Sequence, residues 1–193
     1  YNVGAQYEGD GRFYKAELYY KKYDRLALVE KGTVDAAEVL TSGGYGYSKG
    51  FDLFFNDRVL LKNLEYQLSY TYNIAKRKFQ EYTELTTPQY ATQHNASLVL
   101  KYSIPRISTI VGLTNRFSSG RPYHNPDLLG LMNDHVKPYN SLDLGLTFLP
   151  SKKVIIHASA TNILCRKNEF GRVNNKAILA SNDHFFYIGV FIT

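Results

Sequence analysis

The chain has 193 residues, 44% of them hydrophobic and 21% charged, with a formal net charge of +6. That balance excludes a disordered chain. No run approaches about 18 consecutive apolar residues, so no transmembrane helix is available. A membrane β-barrel stays open, because its strands show about half their side chains to water. Seventeen Tyr, eleven Phe and no Trp favour strands, and tyrosine suits an interface that is dry on one side and wet on the other. A tyrosine-rich soluble β-protein would share this composition. The single Cys165 excludes an internal disulfide and a CxxC metal site. The basic residues form short runs, Lys21-Lys22, Lys76-Arg77-Lys78 and Lys152-Lys153, each beside a strand end. They read as solvated rims rather than a nucleic-acid patch. The chain starts at Tyr1, its one methionine is Met132, and no basic-then-apolar leader opens it. It is therefore expected to be part of a longer precursor.

In chain order, period-two alternation dominates. Tyr14, Ala16, Leu18 and Tyr20 alternate with Lys15, Glu17, Tyr19 and Lys21. Residues 65–73 are the clearest case, with Tyr66, Leu68, Tyr70 and Tyr72 on one face and Glu65, Gln67, Ser69, Thr71 and Asn73 on the other. Ala96, Leu98, Leu100 and Tyr102 follow, then Leu142, Leu144, Leu146 and Phe148, then the softer Val154, Ile156, Ala158 and Ala160. The last stretch, Phe185 to Ile192, is apolar on both faces. Nine strands are expected, at 1–7, 12–30, 44–56, 64–74, 95–104, 107–118, 140–149, 153–163 and 184–193.

The connections alternate strictly between short and long. Glu8-Gly9-Asp10-Gly11, 57–63, Ile104-Pro105-Arg106 and Pro150-Ser151-Lys152 are short, whereas 31–43, 75–94, 119–139 and 164–183 are long. A soluble sandwich alternates apolar and polar residues too, but has no reason to gather its long loops at one end. An outer-membrane barrel does, with short periplasmic turns and longer extracellular loops. The fold class expected is all-β, an antiparallel up-and-down transmembrane β-barrel. Nine is an odd count for a closed bacterial barrel, and an open sheet in lipid leaves unpaired backbone groups at both edges. Residues 1–193 are thus expected to be the C-terminal portion of a larger barrel, one domain without internal repeats.

Several segments resemble the C-terminal barrel of TonB-dependent outer-membrane receptors, especially those of the Bacteroidetes kind. These are Gly44-Tyr45-Gly46-Tyr47-Ser48-Lys49-Gly50-Phe51-Asp52-Leu53, Arg116-Phe117-Ser118-Ser119-Gly120-Arg121-Pro122-Tyr123, Tyr139-Asn140-Ser141-Leu142-Asp143-Leu144, Ala160-Thr161-Asn162-Ile163-Leu164, and the closing Phe185-Phe186-Tyr187-Ile188-Gly189-Val190-Phe191-Ile192-Thr193. Their order and spacing carry the likeness over nearly the whole chain. The resemblance implies a plug domain and N-terminal strands that these residues lack, since such barrels have about 22 strands and a plugged lumen. It implies uptake of a scarce nutrient, such as an iron chelate, a cobalamin, a glycan or a peptide. The energy-coupling TonB complex would act through the plug. Outer-membrane lipid and lipopolysaccharide are the implied surroundings.

Candidate site residues are few. Arg116 and Arg121 offer planar donors for carboxylate or phosphate, and Tyr123 offers a ring, so this loop exit is the expected ligand contact. The competing reading is that Gly120 and Pro122 simply shape the loop. None of His94, His124, His135, His157 and His184 forms an HxxxH pair. His124 and His135 share a loop with Asp127 and Asp134, which is not enough for a metal site. His157 and Ser159 lie i, i+2 on a strand, about 6.6 Å apart, too far for a catalytic pair. No enzyme, cofactor or nucleic-acid partner is expected. Two other readings remain. A small self-contained barrel predicts an even strand number closing on itself. A soluble β-domain predicts that Leu142, Leu144 and Leu146 face a dry core. On the barrel reading Leu144→Arg should be harmful and Asp143→Ala mild.

Overall fold

Alternating side chains can satisfy a single-layer sheet only if one face meets an apolar medium and the other water, and such a sheet is what the chain forms. A computed structural model describes residues 1–31, 38–173, 176–180 and 184–192. The strands are β1 (Asn2–Gly9), β2 (Arg12–Lys31), β3 (Glu38–Leu61), β4 (Leu64–Lys78), β5 (His94–Ile104), β6 (Thr109–Ser118), β7 (Pro122–Tyr123), β8 (Asp134–His135), β9 (Tyr139–Ser151), β10 (Val154–Thr161), β11 (Glu169–Val173), β12 (Lys176–Leu179) and β13 (Phe185–Ile192). Nine of them make one antiparallel meander in the order β1-β2-β3-β4-β5-β6-β9-β10-β13, while β7-β8 and β11-β12 are small separate hairpins. Among the described residues β1 and β13 do not pair with each other, so the sheet is open.

Turn chemistry explains the short end. Asp10 and Gly11 both have positive φ, 51° and 76°, as a two-residue primed turn requires. Asn63 (φ 63°) closes the Lys62–Asn63 turn. Pro105–Ile107 forms one 3₁₀ turn that ends at left-handed Ser108. At the other end the connections are 79–93, 119–138 and 162–184, together with 32–37, which lies outside the described residues.

Three expected boundaries move most. Residues 38–43, expected within the long segment 31–43, begin β3, and 57–61, expected in a turn, end it; residues 75–78, expected in the long segment 75–94, end β4. The apolar pattern stops at the edge of the nonpolar belt, but backbone pairing does not. Leu28↔Thr41 through Lys31↔Glu38 continue the β2–β3 ladder beyond it. The hairpins β7-β8 and β11-β12 lie inside segments expected to be plain loops.

The register aligns like with like. One row reads Ala5↔Ala16↔Leu53↔Tyr70↔Ala96 and another Leu100↔Leu113↔Leu144↔Ala160. The apolar face is thus continuous from β1 to β13. Among the described residues no second sheet covers it: Leu144 is 40% exposed, and the buried apolar side chains Leu28, Ala75, Ala91, Tyr123 and Val136 lie at or beyond the long-loop end of the sheet. Among the described residues Leu144 and Leu146 face no core, contrary to what a soluble domain requires.

Candidate ligand-facing wall and outer loops

The polar face is built from the alternate register positions. Asp52 accepts a hydrogen bond from the Thr71 hydroxyl across β3 and β4 (2.6 Å). Lys15 pairs with Glu17 at 2.7 Å, and Asn2 Nδ2 donates to the same carboxylate at 2.9 Å. Tyr19 and Ser48 both donate to Asn73 Oδ1, at 3.0 and 2.7 Å. Gly50 lies in the row between Tyr19 and Asn73 and makes this possible. A Cβ there would sit 1.8 Å from the Tyr72 carbonyl oxygen and 2.9 Å from the Tyr19 hydroxyl. His157 bonds Thr147 across β9 and β10, at 2.9 Å from Nδ1. Strand alternation therefore yields a wall of hydroxyls, amides and paired charges, the surface expected along a water-filled passage.

The three predicted contact residues do not converge on one point. Arg116 projects from β6 along the polar wall and donates to Asp143 of β9. Arg121 leaves the wall and lies over the Phe170 ring, 5.0 Å from its centroid. Tyr123 is only 3% exposed; its hydroxyl donates to Asp134 Oδ2 at 2.6 Å, and Arg172 lies over its ring at 5.7 Å. Gly120 is a steric requirement, because a Cβ there would meet the Val136 carbonyl oxygen at 1.9 Å. It admits the close approach in which Val136 N–H donates to the Arg121 carbonyl at 3.0 Å.

Tyr123 and Asp134 hold each other's ionisation state. The Tyr123 hydroxyl, then the Asn125 amide (3.0 Å) and the His135 N–H (2.7 Å), keep the Asp134 carboxyl below its ordinary range. The same bond, followed by burial, pushes the Tyr123 phenol up. Both groups lie in the β7–β8 hairpin, off the sheet.

Asparagines that sequence reasoning passed over organise the rim. Asn140 N–H donates to Asn168 Oδ1 (3.0 Å) and Asn168 Nδ2 returns to the Asn140 carbonyl (2.9 Å). The side-chain amide thereby imitates a strand partner and extends β9. Asn162 bridges to residue 166 in both directions, at 3.0 and 3.2 Å, and its N–H donates to Asp143 Oδ1 at 2.9 Å. Asp143 also accepts from the Ser141 hydroxyl at 2.8 Å. It is a hub for three donors, not an isolated wall carboxylate, so the expectation of a mild Asp143→Ala does not stand.

The loops bond to one another as well. Ser119 N–H donates to the His94 carbonyl (2.8 Å), and the Ser119 hydroxyl accepts from the N–H groups of Gln93 and His94 (2.9 and 3.0 Å). Tyr139 stacks on Phe170 at 5.9 Å. A hollow of about 430 Å³ remains between 79–93 and 119–138, bordered by Lys76, Thr92, Gln93, Ser119 and His135. A smaller one of about 210 Å³ is bordered by Gln89, Tyr90, Arg121, Phe170 and Ile178. Beside it, Arg77 donates to the Tyr90 hydroxyl and lies over Tyr23 at 4.3 Å. Arginine on an aromatic ring recurs three times, at Arg77, Arg121 and Arg172.

No family model matches the chain, and no curated protein matches it in sequence. Solved structures do match its fold. The ferric-catecholate import receptor Fiu of Escherichia coli K12 superposes with a TM-score of 0.76 at 12% identity, over 98% of this chain and 27% of Fiu. The siderophore receptor PiuA of Acinetobacter baumannii gives 0.75 at 15%, over 98% and 28%. Pseudomonas aeruginosa FpvA, solved with bound pyoverdines, gives 0.75 at 14%, over 98% and 26%. The fold is that of the TonB-dependent receptor barrel. The chain spans roughly a quarter to a third of the length of these receptors. These neighbours are receptors and transporters, not enzymes. At these identities the receptor-barrel fold is what the chain shares with them, and the resemblance read from the strand motifs agrees with it.

Proposed function

We propose that the chain forms wall and outer loops of an outer-membrane receptor that takes up a scarce nutrient. Residues 1–193 would be the C-terminal portion of its barrel, working with a plug and an energy-coupling TonB complex. The receptor-barrel fold over nearly the whole chain carries this reading. The open edges support it, because unpaired strand groups are not tolerated in lipid and call for further strands. Among iron chelates, cobalamins, glycans and peptides, an anionic, ring-bearing chelate suits the arginines on aromatic rings best. Guanidinium supplies planar donors for anionic oxygen and a stacking face.

Arg121 with Phe170 would contact ligand at the rim, Arg116 would line the passage through its pair with Asp143, and Tyr123 would brace the loop behind Arg121. The test is binding of ferric siderophores to the full-length receptor. Arg121→Ala is expected to weaken binding by about 1–3 kcal/mol, the scale of a charged hydrogen bond, with the barrel still folded. Unchanged affinity for every anionic chelate bound by the wild type would remove Arg121 from the site.

A further inference from the structure

The wall has a gap in its hydrogen-bond ladder just beyond the point where β5 begins. Up to Tyr72↔His94 the strands β4 and β5 pair residue for residue. One more bond follows, from the Asn73 N–H to the Gln93 carbonyl at 2.8 Å. The next pairing on this side of β4 is at Arg77, which exchanges both backbone bonds with Thr86, at 2.8 and 3.2 Å. Asn73 to Arg77 is four steps along β4, but Thr86 to Gln93 is seven, so the returning chain carries three extra residues. They are taken up in a turn closed by the Ala91 N–H on the Pro88 carbonyl at 2.9 Å.

Alternate residues of a paired strand turn their N–H and C=O groups to the same side. Asn73 and Arg77 turn theirs toward this connection, so Ala75, midway between them, does the same. Among the described residues neither its N–H nor its C=O has a protein partner on that side. Ala75 is 7% exposed, and buried backbone groups are almost always satisfied. What faces them is the hollow of about 430 Å³ between 79–93 and 119–138, a volume within the ordinary range of small-ligand sites, about 300–1,000 Å³. Ala91, Val136 and Pro138 give it apolar sides, Lys76 and His135 border it, and among the described residues no acidic side chain lines it. Water would meet the Ala75 donor and acceptor separately. One extended peptide residue meets both at once, as in an antiparallel pair, and a free carboxylate suits the basic border.

We propose that this gap binds a short peptide with a free carboxylate, one residue of which pairs with Ala75 as a missing piece of strand. The site adds a ligand class to the chelate proposed at Arg121 and stands on backbone geometry, independent of that reading. The test uses the full-length protein in detergent micelles, with N-acetyl-trialanine as probe. Hydrogen exchange at the Ala75 amide should slow when the peptide is added. Methylating the peptide's amide nitrogens one at a time should find a position that weakens binding about tenfold or more, because the Ala75 carbonyl is then left unmatched. Ala75→Pro removes the N–H without touching a bond to β3 and should weaken binding about as much. Thr87→Trp, which fills the hollow from the loop, should abolish binding and keeps the test readable if Ala75→Pro fails to fold. No binding of the probe, unchanged exchange at Ala75, indifference to every methyl group, equal binding of the C-terminal amide, or full binding by Thr87→Trp would each overturn the proposal. Ferric siderophore binding is read with a different ligand, so the uptake reading and this one fail separately.

Discussion

Gly50 shows how one atom sets the wall. Its missing Cβ leaves room for the Tyr19 hydroxyl to cross β3 and reach Asn73. Gly50→Ala should therefore destabilise the sheet by about 1–3 kcal/mol, the usual cost of overpacking, read as a lower urea midpoint for the folded full-length protein; an unchanged midpoint would contradict the close approach. Leu144 tests the other face. Its neighbours across the ladders are Leu113 and Ala160, so Leu144→Arg places a charge in the belt, and a loss of about 2–4 kcal/mol is expected in folding into lipid vesicles. Asp143 contrasts with both. Alternation placed it correctly on the polar face, but the three donors that converge on it come from Ser141, Arg116 and the N–H of Asn162. Asp143→Ala would leave them short of an acceptor, at a cost on the order of 2 kcal/mol, measured by the same titration. Two of those donors come from neighbouring strands or the loop after β10, beyond the reach of a period-two reading.

At the scale of elements, the β7–β8 hairpin is held by a titratable bond. The Asp134 carboxyl is depressed, so its contribution is complete above the ordinary carboxylate value of about 3.9 and is lost as pH falls through the folded value. The Tyr123 phenol is raised, so its contribution is complete below about 10 and is lost as pH climbs through its folded value. The hairpin should be most ordered between those limits. Amide exchange at Val136, corrected for intrinsic rate, should lose protection below about pH 4. Tyr123→Phe should remove the alkaline loss, and protection that is the same in Asp134→Asn as in the wild type would argue against the bond. Nothing in the sequence pattern announces this hairpin. Its strands are two residues each, shorter than any period can register, and it exists because Gly120 admits the Val136 carbonyl. The nine long strands were legible for the opposite reason. Each carries enough alternating positions for the period to emerge, and Asp10-Gly11, Asn63 and Pro105 punctuate them.

For the whole molecule, the open sheet makes its own prediction. Among the described residues β13 pairs only with β10, and β1 only with β2. Each unpaired N–H or C=O at those edges would cost several kcal/mol in hydrocarbon. Residues 1–193 expressed alone should therefore fail to give the heat-modifiable, protease-resistant species of a closed barrel in vesicles, whereas the full-length protein should give it. A resistant monomer would show that the sheet closes by other means. The Arg121 and Phe170 pair belongs to this scale too, since it joins two residues far apart in the chain, on different outer connections, and exists only when the rim is assembled.

Local pattern was enough for the nine long strands, their two faces, the alternation of short turns and long loops, and the likeness to receptor barrels. These are repeated local features, and the pleat and hairpin geometry translate them directly. Only the tertiary structure decided which residues of different strands share a row. That register turns Asp143 into a hub, and sets Arg121 on Phe170 while Arg116 stays on the wall. Register and loop packing depend on contacts between distant segments, and a single strand's pattern carries no record of its neighbours' offset.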